Sequence, residues 1–310
     1  MKISIALIGS GYWGKNFLKH LTSNYDKFNF IGLVEKSKEL RDINKLKYNI
    51  NVYENLSDII DKCDNFIIAT PVKTHFQIAK YLLENKKNIM VEKPLTEDYE
   101  LTKILLNLSI KNNCKMMCNF TPIYTEPFKF IKNYLKNKKN KIRFISLRRS
   151  NLGIIRKDCN VIIDLTCHDI ALLYSLTGIL PKNIKTIGKD FYKHGLDMVS
   201  INLEYEDFLA YIYTSRIDNL KQRELVIITE DERITYDDTN TINPIIINKN
   251  NITNKNDLEY NYNDTIIPNI PFKEPLKNQL EHFYNCIVNN EKVETDGYFS
   301  LNINKIIKNI

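Results

Sequence analysis

Three of the nine glycines in this 310-residue chain fall within six residues near the N-terminus, and this cluster constrains the fold more than any other feature of the sequence. The segment Gly9-Ser10-Gly11-Tyr12-Trp13-Gly14 follows the apolar stretch Ile3–Ile8 and opens a helical pattern. At these positions Gly9 permits a tight turn, Gly11 lets the backbone approach a pyrophosphate, and Gly14 allows close helix–strand packing. The spacing predicts a dinucleotide-binding turn, with the helix N-terminus offered to the phosphates.

Short apolar stretches alternate with helical patterns up to about residue 120. The predicted strands are Ile3–Ile8, Phe28–Val34, Asn65–Ala69, Asn88–Val91 and Lys115–Asn119, and the predicted helices are Trp13–Leu21, Lys38–Lys47, Thr74–Leu83 and Tyr99–Leu108. Continuous apolar strands that alternate with helices are typical of a parallel sheet covered on both faces. The first half is therefore predicted to be a doubly wound α/β domain over residues 1–121.

The second half has a different pattern, in which apolar and polar residues alternate within strands joined by short turns. The predicted strands are Ile142–Arg148, Ile184–Gly188, Met198–Tyr205, Phe208–Thr214 and Glu224–Thr229, and the predicted helices are Tyr124–Leu135, Asp164–Leu176, Pro275–Val288 and Tyr298–Ile307. This pattern favours a mostly antiparallel sheet with one exposed face. Residues 239–265 show no clear period and are predicted to be a loop region with some strand. The second domain is expected over residues 122–310, with the C-terminal helix a candidate to pack back on the first.

An acidic residue stands where a dinucleotide-binding domain uses one. Glu35 ends the second predicted strand, 21 residues beyond Gly14, where a carboxylate would hold the ribose hydroxyls. Because a carboxylate repels a 2′-phosphate, NAD is the predicted cofactor. NADP is the second choice, since Lys36 and Lys38 follow closely and would soften that repulsion.

The segment Glu92-Lys93-Pro94 lies at the end of another predicted strand of the same sheet. Ligands of open α/β sheets bind outside the carboxyl ends of the strands. A lysine there can hydrogen-bond a substrate oxygen and lower the pKa of the hydroxyl that loses its proton, while the proline stiffens the turn. The alternative is an ordinary Glu–Lys pair on the surface.

Asp164 and His168 are four residues apart, which places them on one face of a helix or of its first turn. A carboxylate beside an imidazole can orient it and stabilise its protonated form, so the pair is a candidate proton acceptor. Asp164 as a helix cap and His168 as a structural histidine are the alternatives. A zinc site at Cys167 and His168 lacks a fourth ligand at suitable spacing, so no metal is expected.

Composition excludes several classes of protein. The net charge of +7 favours anionic partners only weakly, and the run Lys132–Lys141 is interpreted as a solvated helix end, so no nucleic-acid partner is expected. No apolar run is long enough to span a membrane, so a membrane is not expected as a partner. Cys-x-x-Cys motifs are absent, which predicts reduced thiols in a cytoplasmic protein for Cys63, Cys114, Cys118, Cys159, Cys167 and Cys286.

Four segments together resemble the Gfo/Idh/MocA oxidoreductases, and they are ALIGSGYWGKN, ATPVKTH, VEKPLT and DLTCHDIALLYSLTG. The resemblance covers essentially the whole chain. It implies a Rossmann domain followed by an α/β domain whose large, mostly antiparallel sheet forms the interface of a homodimer or homotetramer. It also implies hydride transfer between NAD(P) and a ring carbon of a sugar or cyclitol.

The resemblance further implies individual roles. Lys93 would lie beside the reacting carbon, with His168 as the general acid/base and Asp164 supporting it or binding substrate. Four residues, besides Glu35 and the segment Gly9–Gly14 (called the glycine loop below), would lie along the cofactor: Thr70, Pro71, His75 and Glu92.

Within the family, the segment from Asn151 to Leu173 resembles enzymes of sugar-nucleotide and surface-polysaccharide biosynthesis, some of them UDP-N-acetylglucosamine 3-dehydrogenase-like. Asn151, Gly153 and Arg156 would then bind substrate. The predicted reaction is oxidation of a sugar-nucleotide hydroxyl at the 3-position, such as that of a UDP-N-acetylhexosamine or its uronate. The alternatives are a 3- or 4-ketoreductase, an inositol or free-sugar dehydrogenase, and a dinucleotide-binding sensor or scaffold. Two departures affect the substrate: Thr121 replaces a common arginine, and the segment Arg216–Arg223 lacks the usual Trp and Pro.

Overall fold

The computed structural model describes residues 1–23, 26–136, 141–153, 159–254 and 259–310. These form two compact units. The first contains residues 1–121 and 274–304, and the second contains residues 122–273 and 305–310. Residues 274–304 thus group with the N-terminal part of the chain. The assignment of cofactor binding to one domain and substrate binding to the other stays a prediction.

The first unit is built on a six-stranded parallel sheet in the order β3-β2-β1-β4-β5-β6. Strands and helices alternate along the chain as β1 Ile3–Ile8, α1 Tyr12–Leu21, β2 Phe28–Val34, α2 Lys38–Tyr48, β3 Val52–Tyr53, β4 Asn65–Ile68, α3 Val72–Glu84, β5 Asn88–Glu92, α4 Tyr99–Lys111 and β6 Met116–Asn119. Short 3-10 turns cover Leu56–Asp58, Ile60–Lys62 and Thr121–Tyr124. The predicted doubly wound α/β domain is confirmed.

Local sequence explains how these elements begin and pack. All four residues of both β4 and β6 are buried, as expected of parallel strands covered on both faces. Helix α1 buries Gly14, Phe17, Leu18 and Leu21, which form a single helical stripe. Helix α4 is capped by Asp98, whose carboxylate accepts a hydrogen bond from the Leu101 N–H at 2.9 Å.

The second unit is built on an eight-stranded sheet in the order β14-β13-β12-β11-β7-β10-β9-β8. Its elements are α5 Glu126–Lys136, β7 Ile142–Ser150, a π-helical turn Ile162–Thr166, α6 Cys167–Thr177, β8 Asn183–Lys189, β9 Met198–Glu204, β10 Leu209–Ser215, β11 Gln222–Thr229, β12 Glu232–Asp237, β13 Ile245–Asn254 and β14 Glu259–Ile266. Only the β7–β10 pair is parallel among the pairings described, so the predicted mostly antiparallel sheet is confirmed. Two helices close the chain, α7 Pro275–Val288 and α8 Gly297–Lys308.

Three parts of the sequence-based prediction differ from the structure. The prediction omitted β3 and β12, and residues 239–265 contain most of β13 and β14 rather than chiefly loop. Pairing explains these strands, because β12, β13 and β14 form a continuous antiparallel ladder. The predicted helix Asp164–Leu176 begins instead with the π-helical turn.

In the part of the chain that the structure describes, no helix combines the length and the apolar character needed to cross a membrane.

Candidate active site

In the first unit, the residues predicted to contact the cofactor lie at one edge of the parallel sheet, the edge formed by the carboxyl ends of its strands. The glycine loop follows β1, Glu35 follows β2, Thr70 follows β4, and Lys93 follows β5. Strand order reverses between β1 and β4, so this edge also contains the topological switch point at which open α/β sheets bind ligands.

The glycine loop has the steric properties that its spacing predicts. Gly9 has a φ of +89°, and a Cβ there would lie 2.8 Å from the Ala69 carbonyl oxygen. A Cβ on Gly14 would collide with the Gly9 carbonyl oxygen, because the helix packs directly against the loop. A Cβ on Gly11, by contrast, would meet no atom within 4 Å. Gly11 is also the first residue of the turn into α1, so the open space lies at a helix N-terminus.

The Glu35 carboxylate is held against the loop. One oxygen accepts hydrogen bonds from the Ser10 N–H at 2.9 Å and the Ser10 hydroxyl at 2.7 Å, and the other accepts from the Ser37 N–H at 3.0 Å. Burial opposes ionisation of Glu35, but these hydrogen bonds outweigh it and lower its pKa. Glu35 is therefore a fixed anion. The Lys36 ammonium donates to Asn55 at 2.8 Å, so its charge is directed to that side chain.

His75 connects two of the loops at this edge. Its ring is 1% exposed, and its two nitrogens lie 2.8 Å from the Thr70 carbonyl oxygen and 2.9 Å from the Pro94 carbonyl oxygen. Burial lowers the pKa of His75, although both carbonyl oxygens favour its protonated form. The neutral ring has one N–H and donates to only one of these carbonyl oxygens, whereas the protonated ring donates to both; in either form the imidazole lies between the Thr70 and Pro94 loops.

Glu92 is a buried acid at the end of β5, 6% exposed. It accepts hydrogen bonds from the Asn119 amide and from the Lys93 N–H, the latter at 3.3 Å. Burial raises the pKa of Glu92 to about 7, because these partners only partly replace water around the charge. Lys93 itself is partly exposed, and its peptide bond to Pro94 is cis.

Asn119 was missed by the sequence-based reasoning. It ends β6, beside Glu92, and its side-chain oxygen is buried without a hydrogen-bond partner. A polar residue at the end of an apolar strand was the available signal. Thr121, one of the two departures from the family resemblance, donates to the Gln279 side chain at 3.3 Å.

In the second unit, Asp164 and His168 lie on consecutive turns, the first in the π-helical turn and the second in α6. Both are partly exposed. The cap of this segment is Asn160, whose side-chain oxygen accepts from the N–H groups of Ile162 at 3.0 Å and Ile163 at 3.1 Å. Asp164 is thus not needed as the cap.

The predicted substrate residues are partly described. Asn151 and Gly153 follow β7, and their N–H groups donate to the carbonyl oxygens of Ser215 at 3.2 Å and Arg216 at 3.3 Å. The two residues are therefore fixed beside the end of β10. Arg156 lies outside the described residues.

Metal ligands are not clustered in the described ranges: no group of three or more His, Cys, Asp or Glu side chains there is arranged to hold a metal ion.

Comparison with known families identifies the first unit. Residues 3–120 match the sequence model of the Gfo/Idh/MocA oxidoreductases, described as an oxidoreductase family with an NAD-binding Rossmann fold. The resemblance predicted from the sequence is confirmed.

The matches to individual relatives extend beyond residues 3–120. The uncharacterized oxidoreductase YrbE of Bacillus subtilis is 24% identical over 236 residues, which are 71% of this chain and 68% of that protein. The UDP-N-acetylglucosamine 3-dehydrogenase of Acidithiobacillus ferrooxidans is 21% identical over 263 residues, 79% of this chain and 77% of that enzyme. A solved structure of the latter aligns with a TM-score of 0.89 at 18% identity, covering 100% of this chain and 96% of that one. This chain and that structure therefore share a fold along their whole lengths.

Proposed function

Because residues 3–120 of this chain match the NAD-binding Rossmann-fold model of the Gfo/Idh/MocA oxidoreductases, we propose that the protein transfers a hydride between nicotinamide and a ring carbon of a sugar nucleotide. The substrate class is a UDP-N-acetylhexosamine or its uronate, and the reacting carbon is the 3-position. The observation that carries the proposal is the arrangement at one sheet edge, where the glycine loop, an ionised Glu35 and the Glu92–Lys93 turn meet.

The residues of the first unit fit a dinucleotide. The space beside Gly11, at the N-terminus of α1, would hold the pyrophosphate, and Glu35 would hold the ribose hydroxyls. The buried oxygen of Asn119 needs a donor, and the carboxamide N–H of nicotinamide is of the right chemistry. Thr70 and Pro71 would line the same edge, whereas His75 would act through the loops it ties together.

Glu35 favours NAD over NADP. Its lowered pKa keeps it charged at neutral pH, and a charged carboxylate repels a 2′-phosphate. The ammonium of Lys36 donates to Asn55, which weakens it as a phosphate ligand.

Three side chains are proposed for the chemistry. When bound, NAD supplies the hydride acceptor. His168 takes the proton of the substrate hydroxyl, and Asp164, one turn earlier, orients the imidazole and stabilises its protonated form. Lys93 donates a hydrogen bond to a substrate oxygen and stabilises its developing negative charge.

Two observations support the substrate class. The relative from Acidithiobacillus ferrooxidans is a UDP-N-acetylglucosamine 3-dehydrogenase, and it aligns with nearly the whole chain. Asn151 and Gly153 are fixed by backbone hydrogen bonds at the end of β7, where we propose that they contact the sugar nucleotide together with Arg156. We also propose a homodimer or homotetramer that forms through the second unit's sheet, since alternate residues of β9 are buried while every residue of β8 is exposed or half-buried and so open to a partner.

The test is a substrate panel. Purified protein is mixed with NAD and with UDP-linked and other nucleotide-linked sugars, and the near-ultraviolet absorbance of reduced nicotinamide is followed. Free sugars and inositol are the controls. Emission from Trp13, the single tryptophan, reports cofactor binding in the same samples because it lies in the glycine loop.

A rise in absorbance with one sugar nucleotide alone is the expected result. A rise in absorbance with inositol or a free sugar would replace the sugar nucleotide by that compound as the proposed substrate. No rise on the whole panel, with Trp13 emission still responding to NADH, would refute oxidation, and the 3- and 4-keto sugar nucleotides would then be tried with NADH. No response of Trp13 emission would refute the cofactor site.

A further inference from the structure

One loop of the second unit lies at the same sheet end as the proposed substrate residues. This loop, residues 190–197, joins β8 to β9 and is called the aromatic loop below. Ser215 at the end of β10 pairs with Ser150 at the end of β7 and with Met198 at the start of β9. The aromatic loop therefore lies at the same end of the sheet as Asn151, which directly follows β7.

The aromatic loop exposes two adjacent rings. Phe191 is 54% exposed and Tyr192 is 53% exposed. Large apolar side chains on a surface loop favour contact with another molecule when they are held in place rather than mobile, because binding then costs little conformational entropy.

A buried ion pair holds the backbone beneath these rings. One oxygen of Asp197 accepts from the N–H groups of Phe191 at 2.6 Å and Tyr192 at 3.0 Å, and the other pairs with Arg216 at 2.9 Å. The side chains of Asp197 and Arg216 are 0% and 1% exposed. Burial opposes ionisation of Asp197, but the hydrogen bonds and the guanidinium outweigh it and lower its pKa. Both aromatic residues are thus fixed at their N–H groups.

The same contacts join the aromatic loop to the segment that carries Asp164 and His168. Arg216 also donates to the Cys159 carbonyl oxygen at 3.0 Å, and the Leu196 carbonyl oxygen accepts from the Val161 N–H at 2.9 Å. The aromatic loop therefore contacts the start of the helical segment that carries His168.

We propose that Phe191 and Tyr192 form a stacking platform for the base of a nucleoside diphosphate sugar. The proposal rests on the proposed function and adds a binding site for the base. Aromatic side chains stack on bases through their faces, and an alanine substitution at such a contact weakens binding by about 5- to 140-fold, from stacking energies of ~1–3 kcal/mol.

The experiment measures nucleotide binding by calorimetry, with the protein saturated with NADH so that the added nucleotide cannot occupy the cofactor site. The probes are UDP, dTDP and GDP, with inorganic pyrophosphate as the probe that lacks a base. The variants are Phe191→Ala and Tyr192→Ala, with Tyr192→Phe to retain the ring. Phe272→Ala is the matched control, because Phe272 is an exposed aromatic residue of the same unit outside the aromatic loop.

The expected result is a rise of about 5- to 140-fold in the Kd of one nucleoside diphosphate in each alanine variant, with Tyr192→Phe and Phe272→Ala within about twofold of the wild type. Pyrophosphate binding stays unchanged, and KM for the sugar nucleotide rises while kcat at saturation does not. Circular dichroism and the melting temperature of each variant check that it is folded.

Three results would overturn the proposal. The first is failure of the wild type to bind UDP, dTDP or GDP. The second is an unchanged Kd in both alanine variants. The third is a changed sedimentation coefficient with an unchanged Kd, which would make the aromatic loop a subunit contact. Turnover of a sugar nucleotide with unchanged KM would refute the platform but leave the proposed function. Ring-dependent UDP binding without turnover would support the platform and refute the proposed function.

Discussion

Glu92→Gln tests whether the structure assigns the right protonation state to the acid beside Lys93. Burial raises the pKa of Glu92 from 4.5 to about 7, and the unfolded chain, in which the side chain is hydrated, keeps the ordinary value. Between these two values the folded protein holds a proton that the unfolded chain has lost. The folded state is therefore stabilised by protonation, and this stabilisation is lost as the pH rises.

The size of the effect follows from the two pKa values. A difference of about 2.5 pKa units at about 1.4 kcal/mol per unit predicts a loss of about 3 kcal/mol. The loss begins near pH 4.5 and is complete just above pH 7. Glutamine does not titrate and can still accept a hydrogen bond from Asn119, so Glu92→Gln should not show this loss.

The assay is urea unfolding without nucleotide at several pH values from 4.5 to 8, followed by Trp13 emission, because Trp13 and Glu92 belong to the same unit. The free energy of unfolding of Glu92→Gln minus that of the wild type should increase by about 3 kcal/mol across this range. Glu97→Gln is the control, since Glu97 is an exposed carboxylate of the same unit.

A constant difference between Glu92→Gln and the wild type across the range would refute the reasoning. It would mean that the Glu92 carboxylate keeps an ordinary pKa despite its burial. A difference that decreases with pH would mean that Asn119 and the Lys93 N–H stabilise the anion more than burial destabilises it.

Three further predictions concern the cofactor loop and the chemistry. Lys93→Ala and His168→Ala should each lower kcat about 100-fold or more with NADH affinity nearly unchanged, measured by steady-state kinetics and fluorescence titration; near-normal kcat would remove that residue from the mechanism. Glu35→Ala should raise the Kd of NAD more than that of NADP, and equal changes would show that Glu35 does not contact the ribose. Gly14→Ala should destabilise the protein by about 1–3 kcal/mol, whereas Gly11→Ala should keep the wild-type melting temperature and lose cofactor affinity; equal melting temperatures of the two variants would contradict the packing described.

Much of the first unit could be predicted from sequence, because its signals are local. The strands Ile3–Ile8 and Phe28–Val34 have the bounds predicted for them, since continuous apolar stretches flanked by turn residues define parallel strands. The turn at Gly9 could also be predicted, because its positive φ is a property of one residue. Three of the four segments that carry the family resemblance also lie in this unit.

The second unit was harder to predict, because its outer strands depend on their partners. β12 and β13 have mixed polar and apolar residues, and they form strands because each lies between two antiparallel neighbours. The predicted helix at Asp164 begins as a π-helical turn capped by Asn160. Local helix propensity did not distinguish a π-helical turn from an α-helix.

The sequence by itself determined the order of strands and helices in the first unit apart from β3, the glycine loop and the acid that follows β2, because each depends on residues near one another in the chain. The tertiary structure decided the raised pKa of Glu92, the burial of His75 between the Thr70 and Pro94 loops and the placement of the aromatic loop above the Asp197–Arg216 pair. These properties arise from burial and from contacts between distant segments. Neither can be read from a residue and its neighbours in sequence, because the cost of burying a charge depends on which groups the folded chain brings around it.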